Sequence, residues 1–336
     1  MPINGSTLQV LIITGKCYPP RPMINLNAEE VAEALPIDRL IEALSVAFTK
    51  GATVPDRAHH EVPVPNGTAG TLLLMPAWRS GRHLGVKVVT VFPDNAKQGR
   101  PAVYGSYLLM SAENGTPLAL LDGTELTLRR TAAASALAST YLARTDSSSL
   151  LMVGTGNLAP HLIRAHAAAR PIERVCIWGR RPEAAQQLAD QLSGSSFDVE
   201  IAENLQTAVG DADIISCATL ASEPLLQGEW LVDGQHIDLV GAFTPTMAEA
   251  DSAAIARAAI YVDTRAGALA EAGDIVQAIQ KGAFTAQEIK GSLRELCSGA
   301  VSGRTNDSEV TLFKSVGTAL EDLAAAELAT GLDGAR

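Results

Sequence analysis

The feature that most constrains the fold is a glycine-rich turn that joins an apolar segment to an amphipathic one. Residues 150–153 are apolar and run directly into Gly154-Thr155-Gly156-Asn157-Leu158-Ala159, where helical periodicity begins. In this context a G-x-G-x-x-A turn binds dinucleotides, because the first glycine allows a tight turn, the second lets the backbone approach a pyrophosphate, and the helix N-terminus attracts the anion. An ordinary glycine-rich turn is the simpler alternative, but the next apolar segment, 175–178, follows at the spacing of a βαβ unit. We therefore predict cofactor contacts from five residues of the turn: Gly154, Thr155, Gly156, Asn157 and Leu158.

Two regions of different pattern predict an α/β fold with two domains. Apolar segments alternate with amphipathic ones between residues 150 and 240, which predicts a parallel sheet covered by helices on both faces. Residues 57–122 contain short runs rich in Val, Leu and Tyr between Pro and Gly, which predicts antiparallel strands, and Asn114-Gly115 marks a hairpin. We also predict a helix over about 124–143, and a capping box formed by Asn27 and Glu30. The length of 336 residues agrees with about two domains.

Composition and charge exclude several classes of function. Lys and Arg number 26 against 37 Asp and Glu, a net charge of -11, which argues against binding to a nucleic acid backbone. No apolar run approaches the roughly 20 residues of a transmembrane helix, so we expect no membrane segment. The four cysteines lie far apart in the chain, which favours reduced thiols in a cytoplasmic protein. Residues 1–22 lack the basic start and the cleavage site of a signal peptide, and we expect either a disordered extension or a start codon assigned too early.

The residues after the second strand of the parallel unit indicate which dinucleotide is bound. An NAD enzyme presents Asp or Glu there to the ribose 2′-hydroxyl, but this chain has Gly179-Arg180-Arg181. A guanidinium suits a 2′-phosphate through forked, charge-assisted hydrogen bonds. We therefore predict NADPH as the preferred cofactor, with NADH as the alternative, and Arg180 ahead of Arg181 as the contact. The alternative for both arginines is a surface charge at the start of the next helix, and for Arg181 the two interpretations carry equal weight.

We expect a substrate site beside the cofactor, at the switch point between the first and fourth strands of the parallel unit. The fourth strand ends in Cys217, Ala218 and Thr219. Small residues at this point let cofactor and backbone approach closely, so these three are predicted cofactor contacts. A buried strand end explains the same residues equally well.

Three basic residues outside the parallel unit stand out because such residues are sparse there: Arg57, Lys87 and Arg130. Lys87 lies inside the apolar run 85–91, where an unpaired ammonium would be costly, so it needs an anionic partner. His59-His60-Glu61 suggests a metal, but adjacent side chains on a strand point to opposite faces, and we predict no metal site.

Six segments in the same order resemble the ornithine cyclodeaminase/μ-crystallin family, which includes cyclodeaminases, an alanine dehydrogenase and imine (ketimine) reductases. The resemblance begins near Met23 and covers nearly all of the chain after it. The segments are Leu74-Met75-Pro76, Gly85-Val86-Lys87, Leu128-Arg129-Arg130-Thr131-Ala132-Ala133, Gly154-Thr155-Gly156, Val240-Gly241-Ala242 and Val310-Thr311-Leu312-Phe313-Lys314-Ser315-Val316-Gly317.

The resemblance implies a fold and an assembly. The fold is a Rossmann dinucleotide-binding domain, placed at 129–309, with an α/β substrate-binding and dimerisation domain, placed at 23–128 and 310–336. The C-terminal helix completes this second domain, and the protein is expected to be a homodimer.

The resemblance also assigns roles to individual residues. It implies that Arg57, Lys87 and Arg130 surround the substrate carboxylate, with Lys87 also able to shuttle a proton; the alternative for Arg57 is a loop salt bridge. It further implies substrate contacts from Phe243 and Thr244. Additional cofactor contacts are expected from Thr131, Val240, Gly241 and Lys314, although Lys314 is equally well explained as a surface lysine.

Two departures from the family pattern indicate which reaction the chain catalyses. True cyclodeaminases carry a Glu before Leu-Met-Pro and an Asp after the Val-Gly element, and the matching positions here are Leu73 and Phe243. Ammonia loss from ornithine then lacks its acid and base, whereas reduction of a preformed cyclic imine requires less. We therefore predict NADPH-dependent reduction of Δ1-pyrroline-2-carboxylate to L-proline, with the six-membered Δ1-piperideine-2-carboxylate as a second candidate substrate.

Three other functions stay open at this point. They are an ornithine cyclodeaminase with bound NAD, an alanine dehydrogenase-like enzyme that aminates a 2-oxo acid, and a non-catalytic protein that binds NADPH. Retention of Arg57, Lys87 and Arg130 favours an enzyme over the non-catalytic protein.

Overall fold

Two sheets organise the protein, and both are seen in a computed structural model that describes residues 22–333. The predicted extension of residues 1–22 lies outside this range except for Pro22. The strands are β1 (Ile24–Leu26), β2 (Ala58–Val62), β3 (Gly70–Trp78), β4 (His83–Val91), β5 (Val103–Ser111), β6 (Pro117–Asp122), β7 (Ser149–Val153), β8 (Arg174–Trp178), β9 (Asp198–Ile201), β10 (Ile214–Cys217), β11 (His236–Leu239), β12 (Ala259–Val262), β13 (Gly291–Ser292) and β14 (Thr311–Lys314).

Helices cover both sheets and connect their strands. They are α1 (Ala28–Ala34), α2 (Ile37–Lys50), α3 (Gly123–Leu142), α4 (Ala159–Ala169), α5 (Pro182–Gln191), α6 (Leu205–Gly210), α7 (Ser252–Arg257), α8 (Arg265–Glu271), α9 (Gly273–Gln280), α10 (Leu293–Cys297) and α11 (Ala319–Ala329). No helix within residues 22–333 is both long enough and apolar enough to cross a membrane. The predicted capping box at α1 is confirmed, since Asn27 and Glu30 each accept from the other's backbone N–H.

The N-terminal sheet has the order β1-β6-β5-β4-β3-β2. Strands β2 to β6 form an antiparallel meander, as their pattern predicts, and β1 adds to the edge parallel to β6. The hairpin predicted at Asn114-Gly115 joins β5 to β6, and Gly115 adopts a φ of 76°, which explains the glycine there. One face of this sheet packs against α3 and α11, and α2 packs on these two helices.

The parallel sheet has the order β13-β12-β14-β11-β10-β7-β8-β9. Strand β7 lies between β10 and β8, so the switch point predicted between the first and fourth strands of the unit is present. The predicted α/β class, with a Rossmann-type parallel sheet beside a smaller sheet, is therefore confirmed.

Two elements, β14 and α3, bear on where the domain boundaries lie. Strand β14 lies between β11 and β12 in the parallel sheet, so residues 311–314 pair there and not with the N-terminal sheet. The chain then crosses to α11, whose Leu320 and Leu323 share a core with Leu40 of α2. Helix α3 spans the other boundary, because its residues pack into the cores of both sheets. We therefore propose the C-terminal boundary after Lys314.

Candidate active site

The glycine-rich turn has the geometry that a pyrophosphate requires. Gly154 has a φ of 120°, and a Cβ there would lie 2.6 Å from the carbonyl oxygen of Ala218, so only glycine fits. Nothing lies within 4 Å of the position that a Cβ would take at Gly156, which leaves its backbone open to a ligand. The turn leads into α4, whose N-terminus favours an anion. These residues fit a dinucleotide.

Arg180 and Arg181 closely follow β8, beside the glycine-rich turn. They follow Trp178, the last residue of β8, whose carbonyl oxygen accepts from Gly154 N at 2.9 Å. Gly179 packs against Thr155 so closely that a Cβ there would lie 2.7 Å from its methyl group. Arg180 is exposed, and so is Arg181 at the N-cap of α5. Both arginines therefore flank the glycine-rich turn.

The ends of β10 and β11 lie at the same edge of the parallel sheet, on the other side of β7. We call this edge, from Arg180 through the glycine-rich turn to the ends of β10 and β11, the crevice. Ala218 N donates to Val153 O at 2.9 Å, and Val240 N donates to Cys217 O at 2.9 Å, which joins the two strand ends. The Cys217 side chain is fully buried, and burial raises the pKa of its thiol well above the ordinary range. Cys217 thus packs in the core, while the half-buried Thr219 lies at the open edge.

The predicted substrate residues after β11 lie on an exposed loop. Phe243 is 48% exposed and follows Ala242, a non-glycine residue with a φ of 48°. Thr244 is partly exposed, and its hydroxyl lies 3.3 Å from that of Thr246. Both residues are therefore accessible to a ligand in the crevice.

Lys314 is fully buried, so it is not a surface lysine. Its Nζ donates to Gly241 O and lies 3.1 Å from an Asp274 carboxylate oxygen. Sequence reasoning did not find Glu249, which accepts from Thr219 N at 2.6 Å. Nothing in the loop sequence around Glu249 distinguishes it from a surface acid.

Lys87 and Arg130 meet at the start of α11, where they share one carboxylate. Lys87 is 2% exposed, and its Nζ lies 2.9 Å from the Asp322 carboxylate. Arg130 donates from Nε to Asp322 at 2.9 Å and from Nη1 to Glu321 at 2.6 Å. The anionic partner that Lys87 needed is therefore Asp322. An acidic pair in an otherwise Ala- and Leu-rich helix was the available signal for Glu321 and Asp322.

Arg57 lies near Arg130, because both side chains are close to Gly317. Arg57 Nη2 donates to Gly317 O at 2.7 Å, while its Nε lies 3.3 Å from Glu271, so the alternative of a loop salt bridge is also present. Gly317 has a φ of 81°, and a Cβ there would lie 2.6 Å from Arg130 Nη1. Both guanidinium groups therefore lie close to Gly317. We call Arg57, Lys87 and Arg130 the cationic cluster.

Burial changes the acid–base properties of the cluster. Burial and the neighbouring Arg130 lower the pKa of Lys87 to about 8. Burial alone would raise the pKa of Asp322, but Lys87 and Arg130 hold it below its usual range. Burial raises the pKa of Glu321 to about 7. The cluster therefore combines fixed cations, which suit an anionic ligand, with a lysine that can release a proton near neutral pH.

Leu73 lies beside the cationic cluster. On β3, Leu73 pairs with Val89, and Met75, on the same face, pairs with Lys87. The chain thus has an aliphatic side chain next to Lys87 where cyclodeaminases are expected to have a glutamate.

Two further predicted residues can be placed. Thr131 follows Arg130 on α3 and is partly buried, whereas Val240 is 8% exposed and packs in the core beside β7. Within residues 22–333, no group of three His, Cys, Asp or Glu side chains is arranged to hold a metal ion.

Comparisons with known proteins identify relatives of the chain in sequence and in fold. The model of the ornithine cyclodeaminase/mu-crystallin family matches residues 21–330. A Δ1-pyrroline-2-carboxylate reductase of Paracoccus denitrificans is 41% identical over 278 residues, which are 82% of this chain and 88% of that protein. The structure of Thermococcus litoralis Δ1-pyrroline-2-carboxylate reductase in complex with NADH and L-proline is 35% identical, with a TM-score of 0.86 over 92% of this chain and 97% of that chain. An archaeal alanine dehydrogenase dimer with bound NAD is 29% identical, with a TM-score of 0.84 over 92% and 95% of the two chains.

Proposed function

The chain belongs to the ornithine cyclodeaminase/mu-crystallin family, and from that premise we propose that it reduces Δ1-pyrroline-2-carboxylate to L-proline with a reduced nicotinamide dinucleotide. The observation that carries the proposal is the meeting of Arg57, Lys87 and Arg130 around Gly317 and α11. The names of the reductase relatives support it. The six-membered Δ1-piperideine-2-carboxylate is a second substrate of the same chemistry.

The cationic cluster would hold the substrate carboxylate. Arg57 and Arg130 both lie close to Gly317, and each can add a charge-assisted hydrogen bond worth about 1.5–3 kcal/mol. Asp322 and Glu321 fix Arg130 from the side of α11, so the guanidinium is oriented before the substrate arrives. Phe243 and Leu73 would supply apolar contacts to the ring.

Lys87 would supply the proton that imine reduction needs. The chemistry that a reduced dinucleotide would supply here, once bound, is hydride donation to the imine carbon. The C=N double bond becomes a single bond, and its nitrogen takes a proton from Lys87 Nζ. Because the pKa of Lys87 is about 8, the ammonium is both populated at neutral pH and acidic enough to donate. Asp322 keeps the ammonium in place and favours its return to the charged form.

We propose NADPH as the preferred form of the cofactor. The support is Gly179-Arg180-Arg181 at the end of β8, with no carboxylate at the position where NAD enzymes bind the 2′-hydroxyl. The solved relatives named above hold NADH or NAD, which supports a nicotinamide dinucleotide but not this preference.

We propose that the protein is a homodimer that buries the outer face of the N-terminal sheet. Pro76, Val86, Leu108 and Leu120 are aligned across four neighbouring strands, and each is partly or largely exposed. An apolar sheet face of this kind is typical of a surface that a second copy covers. The dimeric archaeal relative supports the assignment. We also propose a cytoplasmic location, for which the free thiols of Cys176, Cys217 and Cys297 are the support.

Cyclodeamination of L-ornithine is the second candidate function, and one observation favours it. Glu321 and Asp322 place two carboxylates beside Lys87 and Arg130. Both carboxylates already form ion pairs with Lys87 or Arg130. The two positions where cyclodeaminases are expected to carry an acid hold Leu73 and Phe243 instead. Imine reduction therefore agrees better with the site.

The test is a set of parallel assays on the purified protein. We expect NADPH oxidation with Δ1-pyrroline-2-carboxylate, and no ammonia release from L-ornithine supplied with NAD. Ammonia and proline formed only from ornithine would instead establish cyclodeamination. Ammonia-dependent NADPH oxidation with pyruvate would point to an amino-acid dehydrogenase. Dinucleotide binding without turnover in any assay would leave a non-catalytic binding protein.

A further inference from the structure

A buried charged cluster lies beneath the ends of β10 and β11. Lys314 and Glu249 are fully buried and Asp274 is 3% exposed, although each carries an ionisable group. Lys314 belongs to β14, Glu249 precedes α7, and Asp274 lies in the first turn of α9. We call these three residues the sheet-end cluster. Burying charges costs free energy, and an apolar core would hold the same elements together, so the cluster calls for an explanation.

Each member of the cluster bonds to a backbone group near the crevice. Lys314 Nζ donates to Gly241 O, at the end of β11. Glu249 accepts from Thr219 N at 2.6 Å and from Thr219 Oγ1 at 2.9 Å, just after β10. Asp274 links the two, since it pairs with Lys314 at 3.1 Å and accepts from Glu249 N at 2.7 Å. The cluster therefore ties the ends of both strands to one another and to α9.

The segment after Gly241 is held in an uncommon conformation. A Cβ at Gly241 would clash with Thr219 O, so the two strand ends are in close backbone contact. Ala242 has a φ of 48°, which residues other than glycine rarely adopt. Its carbonyl oxygen accepts from Gly273 N at 3.0 Å. Such a conformation persists only where the surroundings determine it, and the sheet-end cluster supplies part of those surroundings.

The position of these strand ends follows from the crevice itself. The glycine-rich turn after β7 would hold the pyrophosphate, and Arg180 on the β8 side would hold the 2′-phosphate of the adenosine half. The other half of the dinucleotide must then extend to the opposite side of β7, over β10 and β11. Gly241 and Thr219 lie on that side.

We propose that Lys314, Asp274 and Glu249 are positioning residues, which fix Gly241 and Thr219 as the surface that receives the nicotinamide half of the cofactor. The proposal rests on the proposed function both for its substrate and for its cofactor, a nicotinamide dinucleotide. Because all three side chains are buried, they act through the backbone of the strand ends and not by contact with the ligand. Lys314, predicted above as a cofactor contact, is in this view one step removed from the cofactor.

Two substitutions at Glu249 separate positioning from burial. Glu249→Gln keeps an oxygen that can accept from Thr219 N and Oγ1, whereas Glu249→Leu has a similar volume and no acceptor. We expect Glu249→Leu to weaken NADPH binding at least fivefold, measured by fluorescence titration without substrate. Glu249→Gln should stay within twofold of the wild type. Equal affinities for the Leu and Gln variants would overturn the assignment of Glu249.

The ion pair is tested by a neutralising double variant, Lys314→Met with Asp274→Asn, which leaves no buried charge unpaired between these two positions. We expect kcat to fall at least tenfold while KM for the imino acid changes less than threefold, since the cationic cluster is untouched. Lys290→Met, at an exposed position of the same domain, is the matched control and should behave as the wild type.

Three outcomes of these tests are decisive. If the double variant lowers only the melting temperature, with kcat and NADPH affinity within twofold of the wild type at a temperature where it is folded, the cluster is merely structural. If the wild type turns over no imino acid, the proposed function fails, but the NADPH affinities of the Glu249 variants still decide the positioning proposal. Should the double variant not fold, those same affinities decide it.

Discussion

Lys87 on β4 lies 2.9 Å from the carboxylate of Asp322 on α11, although 235 residues separate them in the chain. The same carboxylate accepts from Arg130, so one acid of the C-terminal helix orients two cations of the predicted substrate site. The site therefore exists only when α11 is packed on the N-terminal sheet. Its cations and its acids come from opposite ends of the sequence.

Removal of the Lys87 ammonium should affect catalysis and leave the cofactor site intact. We expect Lys87→Ala to lower kcat/KM for the imino acid at least tenfold, because it removes both a cation and the proposed proton donor. The NADPH dissociation constant, measured without substrate, should stay within twofold of the wild type. Lys97→Ala, at an exposed lysine, is the control. Unchanged turnover would exclude Lys87 from the mechanism.

Gly317→Ala should displace Arg130 and raise KM for the imino acid several-fold. The new Cβ would lie 2.6 Å from Arg130 Nη1, and the φ of 81° is unfavourable for alanine, at a cost of about 1–3 kcal/mol in unfolding free energy. Gly331→Ala is the matched control, since its φ is 68° but nothing lies within 4 Å of the added atom. It should share the strain but not the change in KM. If both variants alter KM equally, contact with Arg130 is not the cause.

Arg180→Asp should change cofactor preference. A carboxylate at this position repels a 2′-phosphate and can accept from a 2′-hydroxyl, so KM for NADPH should rise at least tenfold while KM for NADH rises little or falls. Steady-state kinetics with both cofactors measure the effect. Arg174→Asp, at the opposite end of β8, makes the same charge change and should alter neither value selectively. A parallel change for both cofactors would show that Arg180 does not recognise the phosphate.

Glu249→Gln should remove a pH dependence of stability. Burial raises the pKa of Glu249 to about 7 from an ordinary value of 4.5, with Asp274 adding to the rise and Lys314 opposing it. The folded protein thus holds this proton more tightly than the unfolded chain, so the associated stability is present below about pH 4.5 and is lost as pH rises toward 7. The unfolding free energy of the wild type should therefore fall relative to that of the variant by up to ~3 kcal/mol over this range.

Urea unfolding of both proteins at several pH values measures this difference. Because His236, Glu321 and other groups titrate equally in the two proteins, their contributions cancel in the comparison. A difference in unfolding free energy that is constant with pH would mean that Glu249 does not change its ionisation on folding.

Val86→Asp should separate the proposed dimer into monomers. A carboxylate in the middle of the outer face of the N-terminal sheet would have to be buried against the second copy. Light scattering coupled to gel filtration measures the mass. Val46→Asp, at a position on α2 that is 49% exposed, should not change it. A wild type that is monomeric at micromolar concentration would contradict the dimer directly.

The sequence contained enough information for the cofactor crevice, because its parts are local. Gly154 and Gly156 follow an apolar strand and precede a helix, and this short pattern predicts both the turn and its ligand. Lys87 was recognisable for a related reason, since a lysine in an apolar strand requires a partner. The identity of that partner depends on tertiary packing, and the sequence near Lys87 does not contain it.

The features that the sequence did not predict depend on long-range pairing. Glu321 and Asp322 are adjacent acids of a kind common on solvent-facing helices. Only the packing of α11 shows that they are buried. Glu249 lies in a loop without a motif, and its two bonds to Thr219 join segments 30 residues apart. For β14, the segment 310–328 is Ala-rich and helically periodic, so neither a strand at its start nor the place of that strand in the parallel sheet was predicted.

The location of β14 constrains the order in which the strands of the parallel sheet can pair. Within residues 22–333, strand pairing joins β12 and β13 to β11 only through β14, which follows all three in the chain. Until residue 314 is available, β11 keeps an open edge, and β12 and β13 cannot join the rest of the sheet. Parallel pairing over such distances is slow and leaves unpaired edges exposed during synthesis. A truncation before Thr311 should therefore yield an aggregating product and not a smaller dinucleotide-binding domain.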